Sequence, residues 1–141
     1  MSRIVPVAEA RITLLPELSR GRQGLSIGQY RPHIVLGPQS QRIASRDGNR
    51  IVENYLGVMF FGGPDRMNPG DTAEVKLALM YAPEEPYADV QPGATFTLRE
   101  GPEIVGNGLI LSRGQESMSL PLRPSGALFH NALTRFPTAS L

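Results

Sequence analysis

A chain of 141 residues fits one domain, and 40% hydrophobic residues allow a core, although 6% aromatics and no Trp make it a lean one. The formal net charge of +1 is too small to argue for nucleic acid from the total, so that case rests on local clusters. The absence of cysteine excludes a disulfide scaffold, a thiolate metal site and a thiol nucleophile, and it fits a reducing compartment.

The opening residues Met1 to Pro6 lack the apolar centre of a signal peptide, and no run approaches the roughly 18 apolar residues of a membrane helix. The expected location is therefore the cytoplasm. Ala8, Ala10, Ile12 and Leu14 then alternate with Glu9, Arg11 and Thr13, which predicts a strand ending near Pro16. Glu17 to Gln29 is a glycine-bearing loop with Arg20 and Arg22. Tyr30-Arg31-Pro32 leads into a short strand, His33 to Leu36. Gly37 to Arg50 is polar and without period; it reads as a long loop, or as a small β-excursion around Asp47-Gly48.

Ile51 to Phe61 is strongly apolar and predicts a strand, buried on both sides toward its end or covered by the tail. Outward-facing Met59, Phe60 and Phe61 would instead suit self-association, so the oligomeric state is left open. Ala73, Val75, Leu77 and Leu79 alternate with Thr72, Glu74 and Lys76 in the cleanest strand pattern of the chain. Tyr81 to Gly93 holds Pro83, Pro86 and Pro92, which exclude a helix. Phe96 and Leu98 alternate with Thr95, Thr97 and Arg99, and Glu100-Gly101-Pro102-Glu103 turns the chain into an apolar run from Ile104 to Leu111. Gly106 and Gly108 inside that returning strand predict a bulge, a bend, or another backbone coming close. After Arg113 the character shifts: Leu120 to Pro124 reads as extended, and Ala127 to Phe136 as one short helical turn.

Several of these pieces resemble, in order, the C-terminal (third) β-barrel domain of elongation factor Tu. They are Gly21-Arg22 followed after seven residues by Tyr30-Arg31-Pro32, then Met67-Asn68-Pro69-Gly70-Asp71, then Arg99-Glu100-Gly101 with Val105-Gly106 and Gly108. The opening strand, Ala8 to Leu15, sits where the family's first strand sits, and the likeness runs from about Ala8 to Arg113. The connection Gly37 to Arg50 departs from the family, whose equivalent is shorter. The resemblance implies an all-β fold: a small six-stranded antiparallel closed barrel with Greek-key-like connections over residues 1–113. An irregular extension follows over 114–141.

Little supports catalysis. His33 and His130 are the only histidines, His33 reads as a structural or rim residue, and no carboxylate spacing suggests a metal. No serine lies in a Gly-x-Ser-x-Gly elbow, and Gly62-Gly63-Pro64 lacks the Lys-Ser/Thr of a phosphate loop. No enzyme activity, cofactor or metal is expected, and the family's GTP-binding domain has no counterpart here.

The resemblance implies a docking module. In the family this barrel packs on other protein domains and touches the T stem of aminoacyl-tRNA, with the Gly-Arg loop and the turn near Gly101 approaching the tRNA backbone. The binding candidates are therefore Arg20, Arg22, Gln23, Tyr30, Arg31, Arg99, Glu100 and Gly101. Arginine offers phosphate a planar fork, and a glycine turn lets a backbone amide come near. The family continues Gly-Arg-His-Thr-Pro where this chain has Gly21-Arg22-Gln23-Gly24-Leu25, which removes polar groups that would face RNA. The expected partner is a protein. RNA binding is the alternative, or an inhibitor that mimics the factor's barrel; membrane and DNA are not expected. Solvated charges or one internal ion pair would equally account for Arg22, Arg31 and Arg99.

Overall fold

The computed structural model describes residues 2–28, 30–82 and 86–119, with the backbone alone for residues 2, 20 and 119. The helical turn and extended piece expected after residue 119, and His130, lie outside the described residues. The described chain is all-β apart from a 3-10 turn, η1 (Ser19–Gly21). Among the described residues no helix is long and apolar enough to cross a membrane.

Eleven strands follow one another: β1 (Ser2–Leu14), β2 (Leu25–Ser26), β3 (His33–Leu36), β4 (Arg46–Asp47), β5 (Arg50–Ile51), β6 (Leu56–Gly57), β7 (Met59–Gly62), β8 (Arg66–Met67), β9 (Thr72–Ala78), β10 (Thr95–Glu100) and β11 (Glu103–Ser119). Seven form one antiparallel sheet in the order β6-β3-β10-β11-β1-β9-β7. Two short pairs, β2-β8 and β4-β5, stand apart from it. The strands at the two ends of the order, β6 and β7, are consecutive in the chain and separated by Val58 alone. Val58 N donates to Pro32 O at 3.1 Å and Phe60 N to Tyr30 O at 2.8 Å, so this segment meets the run into β3 as well as β9.

The alternation read in the sequence maps onto one core. Ala8, Ala10, Ile12 and Leu14 of β1, Val75 and Leu77 of β9, and Phe96 and Leu98 of β10 share it with Leu56, Val58 and Phe60. Period-two patterning puts every second side chain on the same face, and burying a leucine there stabilises by roughly 1.5–3 kcal/mol. A smaller cluster lies apart from it: Val5, Met59 and Ala78, with Phe61, Met80 and Met118 against them.

Two expectations change in detail, and one alternative left open is decided. The strand expected over Ile51 to Phe61 is interrupted, because Ile51 and Val52 are exposed and the ladder resumes only at Leu56. The excursion around Asp47-Gly48 is real, a two-stranded β4-β5 hairpin with Gly48 at φ 65. The returning strand, expected over Ile104 to Leu111, continues to Ser119 and pairs with the start of β1.

Gly106 and Gly108 prove to be close approaches. A Cβ on Gly106 would sit 2.6 Å from Thr13 O, and one on Gly108 would enter the Phe96 ring. One register shift falls beside Gly106, where Val105 is the extra residue against β10, and a second makes Leu111 the extra residue against β1.

Candidate functional site

The β10–β11 hairpin ends in a two-residue turn at Gly101-Pro102. Gly101 has φ 59, a left-handed value that glycine adopts without a Cβ penalty and that a tight hairpin turn requires. Glu100, the last residue of β10, is thereby held at the rim, and two distant side chains converge on it. Arg22 Nη2 lies 2.9 Å from Glu100 Oε1. Tyr30 donates from its hydroxyl to Glu100 Oε2 at 2.5 Å. The Tyr30 ring stands edge-on against Phe60 at 5.2 Å, so the core fixes its orientation.

The electrostatics follow from this seating. Burial, reinforced by the hydrogen bond to Glu100, pushes the Tyr30 phenol well above its ordinary range, so it remains a neutral donor. The Arg22–Glu100 pair is only partly shielded, with side-chain exposures of 36% and 26%. The 2.9 Å approach is a charge contact whose angle misses hydrogen-bond geometry. Arg22 Nε and Nη2 are accordingly buried without a hydrogen-bond partner among the described residues.

Of the other candidates, Gln23 donates to Gly21 O at 3.3 Å and so only closes its own loop. Arg31 is exposed and makes no ion pair among the described residues. Arg20 belongs to η1, its backbone alone being described.

Arg99 stands apart. It alternates with Leu98, so it leaves β10 on the face away from the main core, yet it is fully buried. The segment from 37 to 55 covers it. Arg99 Nη1 and Nη2 donate to Glu53 Oε1 and Oε2 at 2.6 and 2.8 Å. Nε donates to Thr97 Oγ1 at 2.8 Å, and Nη1 also to the Tyr55 hydroxyl at 3.1 Å. Four of the guanidinium's five N–H groups are thus used, and none of this face is open to a ligand. The fork-on-fork bond to Arg99 holds the Glu53 carboxyl far below the usual carboxylate range, against the opposing effect of its burial.

The sequence reading missed Glu53 and Tyr55. They lie 46 and 44 residues from Arg99 within the strand expected over Ile51 to Phe61, and no local signal marks them as its partners. The expectation for His33 was a structural or rim residue; its ring packs on Tyr55 at 5.9 Å. Among the described residues no group of three or more His, Cys, Asp or Glu could hold a metal ion.

What this site can do chemically is present a partly neutralised rim of arginine, tyrosine and carboxylate on a rigid turn. No protein-family model matches the sequence, and no curated protein matches it either.

Proposed function

We propose that this chain is a non-catalytic binding module that docks a protein partner, built on a closed six-stranded barrel of the elongation factor Tu third-domain type. The placement of β6 and β7 supports closure. If residues 56–62 act as one bent strand, the sheet order returns to its start and no edge is left bare. Hydrogen exchange tests this: the Val58 and Phe60 amides exchange as slowly as those of β1 and β10, and rapid exchange at both refutes closure.

One observation carries the docking reading. Arg22 and Tyr30 reach Glu100 from separate loops and meet on the Gly101 turn, with the charges of Arg22 and Glu100 largely cancelled. A mixed-charge, aromatic-bearing rim suits a protein surface better than a phosphate backbone, which is met by uncompensated cations. Pull-down from cell extract under mild salt, in several growth states, with R22E/Y30A as the comparison, tests it. A partner recovered by the wild type and lost by the variant supports the reading; no reproducible partner refutes it.

Arg31, exposed and unpaired among the described residues, favours a second reading, RNA binding. It requires affinity for tRNA-like RNA that falls steeply with salt, and flat titrations at about 50 mM salt exclude it.

A further inference from the structure

We infer that the far end of β11 is a self-pairing edge: residues 115–119 of one copy add antiparallel to residues 115–119 of a second copy, centred on Ser117. The inference goes beyond the docking reading and uses the opposite end of β11 from the Glu100 rim.

β1 and β11 outrun the sheet they belong to. They pair continuously from Ser2↔Ser119 to Val7↔Gly114, whereas β9 leaves β1 at Val7 and β10 leaves β11 at Leu109. Past those points the ribbon is met only by Leu79 N on Pro6 O and by Gly93 and Ala94 on Ile110. Closing the ring covers the edges within it, but this two-stranded arm lies past the ring. A lone two-stranded ribbon is marginal in water, and its free edges present main-chain groups that accept another strand.

The register says which groups are free. Pro6 O accepts from Leu79, so even-numbered residues of β1 direct their main-chain groups to the β9 side and odd-numbered ones to β11. Arg3, Val5 and Val7 thus face Met118, Glu116 and Gly114. Gln115, Ser117 and Ser119 turn their N–H and C=O outward, where no main-chain partner meets them among the described residues. Arg113 bounds this edge, because its side chain donates to Tyr87 O and Val90 O at 3.3 and 2.6 Å and holds that loop beside it.

Edges are normally guarded by proline, lysine or a charge aimed at the approaching strand. Residues 114–119 carry no proline and no cation, and their only charge, Glu116, is drawn back across the ribbon to Lys76 at 3.0 Å. The arm's other edge is guarded. Pairing Ser2 with Ile4 of a second copy sets Arg3 against Arg3, and any pairing further in needs Pro6, which has no N–H and whose carbonyl is taken.

The free edge is also self-complementary. About a two-fold axis at Ser117, Gln115 meets Ser119 of the second copy and Ser117 meets its own equivalent, each pair exchanging both main-chain bonds. Glu116 then lies opposite Met118, so no like charges meet. One step inward sets Glu116 against Glu116, and one step outward gives up the Gln115 pairs. Side by side the two arms form one sheet, β1 and β11 of each copy, wide enough to stand without further support. The sequence that follows, Leu120-Pro121-Leu122-Arg123-Pro124, holds two residues that cannot donate, so it competes poorly for the same edge.

Sedimentation equilibrium of the full chain between about 10 µM and 1 mM tests this: the mass rises from 15.3 kDa toward twice that value. The Gln115 and Ser117 amides gain protection from hydrogen exchange over the same range. Ser117→Pro removes an outward N–H and leaves the β1 ladder intact, so the chain folds while the dissociation constant rises at least about tenfold. The natural chain has no cysteine, so Ser117→Cys carries a lone thiol that faces its own copy. With oxidised glutathione it forms a disulfide-linked dimer faster than Asn49→Cys, which sits on the exposed β4-β5 turn. A monomer throughout, a dimer that Ser117→Pro leaves intact, or cross-linking no faster than at Asn49 overturns the inference. Protection that does not depend on concentration also overturns it, because the occupant is then the chain's own continuation. So does a monomer whose pull-down partner is lost in Ser117→Pro, which makes the occupant a foreign strand. R22E/Y30A leaves the dimer unchanged, so failure of the docking reading and failure of this edge are read separately.

Discussion

Replacing Glu53 by alanine tests the central clamp. The pair it breaks is buried on both sides, with side-chain exposures of 0% for Arg99 and 4% for Glu53. Solvent therefore does not screen it, and the discount applied to surface ion pairs does not arise. Glu53→Ala removes the acceptors of two short charge-assisted bonds and leaves a guanidinium desolvated, with only Thr97 and Tyr55 to satisfy it. Breaking a buried pair this way costs about 3–5 kcal/mol, a large part of the 5–15 kcal/mol typical of a domain.

Urea unfolding measures it: the midpoint falls with little change in slope, as for loss of stability in an otherwise similar fold. The excursion also loses its anchor, so trypsin cuts after exposed Arg46 and Arg50 faster than in the wild type. The double variant E53L/R99M removes both charges and costs less than the two single changes added together, with a coupling of about 2 kcal/mol. Acid supplies the same perturbation without mutation. The folded carboxyl is held far below its ordinary value of about 4.5, so its contribution is complete above that pH and is lost as pH falls toward the folded value. A cost under about 1 kcal/mol for Glu53→Ala, equal to an exposed pair, refutes the clamp.

Gly106→Ala places a methyl 2.6 Å from Thr13 O, a backbone atom in a paired strand, and destabilises by about 1–3 kcal/mol in thermal or urea unfolding; a neutral result refutes the close approach. Gly101→Ala meets nothing within 4 Å and pays only for its left-handed φ, about 1 kcal/mol, while Gly101→Asn costs less. Burial and the hydrogen bonds to Glu100 and Glu53 raise the Tyr30 and Tyr55 phenols, so spectrophotometric titration shows at least two late phenols. Because their folded values are raised above the unfolded value near 10, stability is complete below that pH and declines as pH climbs past it; four early phenols in a folded chain exclude the buried seating.

The main sheet could be anticipated from local pattern. The alternations Ala8 to Leu14, Ala73 to Leu79 and Phe96 to Leu98 each became a strand with one face in the core. Turn chemistry placed the hairpin at Gly101-Pro102, since few residues other than glycine accept φ 59. The rim was partly readable too, because Arg22, Tyr30, Glu100 and Gly101 were singled out and do converge. For the sheet and the turn the deciding interaction lies within a few residues, or the side-chain period reports burial directly; the rim residues, whose contacts span 70 residues, were singled out through the resemblance alone.

What lay beyond the sequence was long-range pairing. An internal ion pair was one of the readings open for Arg99, but nothing near it names the partner, because Glu53 arrives from 46 residues away in a segment read as a strand of the sheet. Nothing in Val52 says that it is exposed, because an apolar side chain carries the same letter on a core strand and on a hairpin pinned outside the sheet. The extension of β11 to Ser119 likewise depends on β1 lying alongside it, since a polar stretch such as Gly114 to Ser119 becomes strand only when a neighbour satisfies its backbone. Periodicity encodes which face a residue prefers, whereas which distant segment covers that face is settled only when the chain closes on itself.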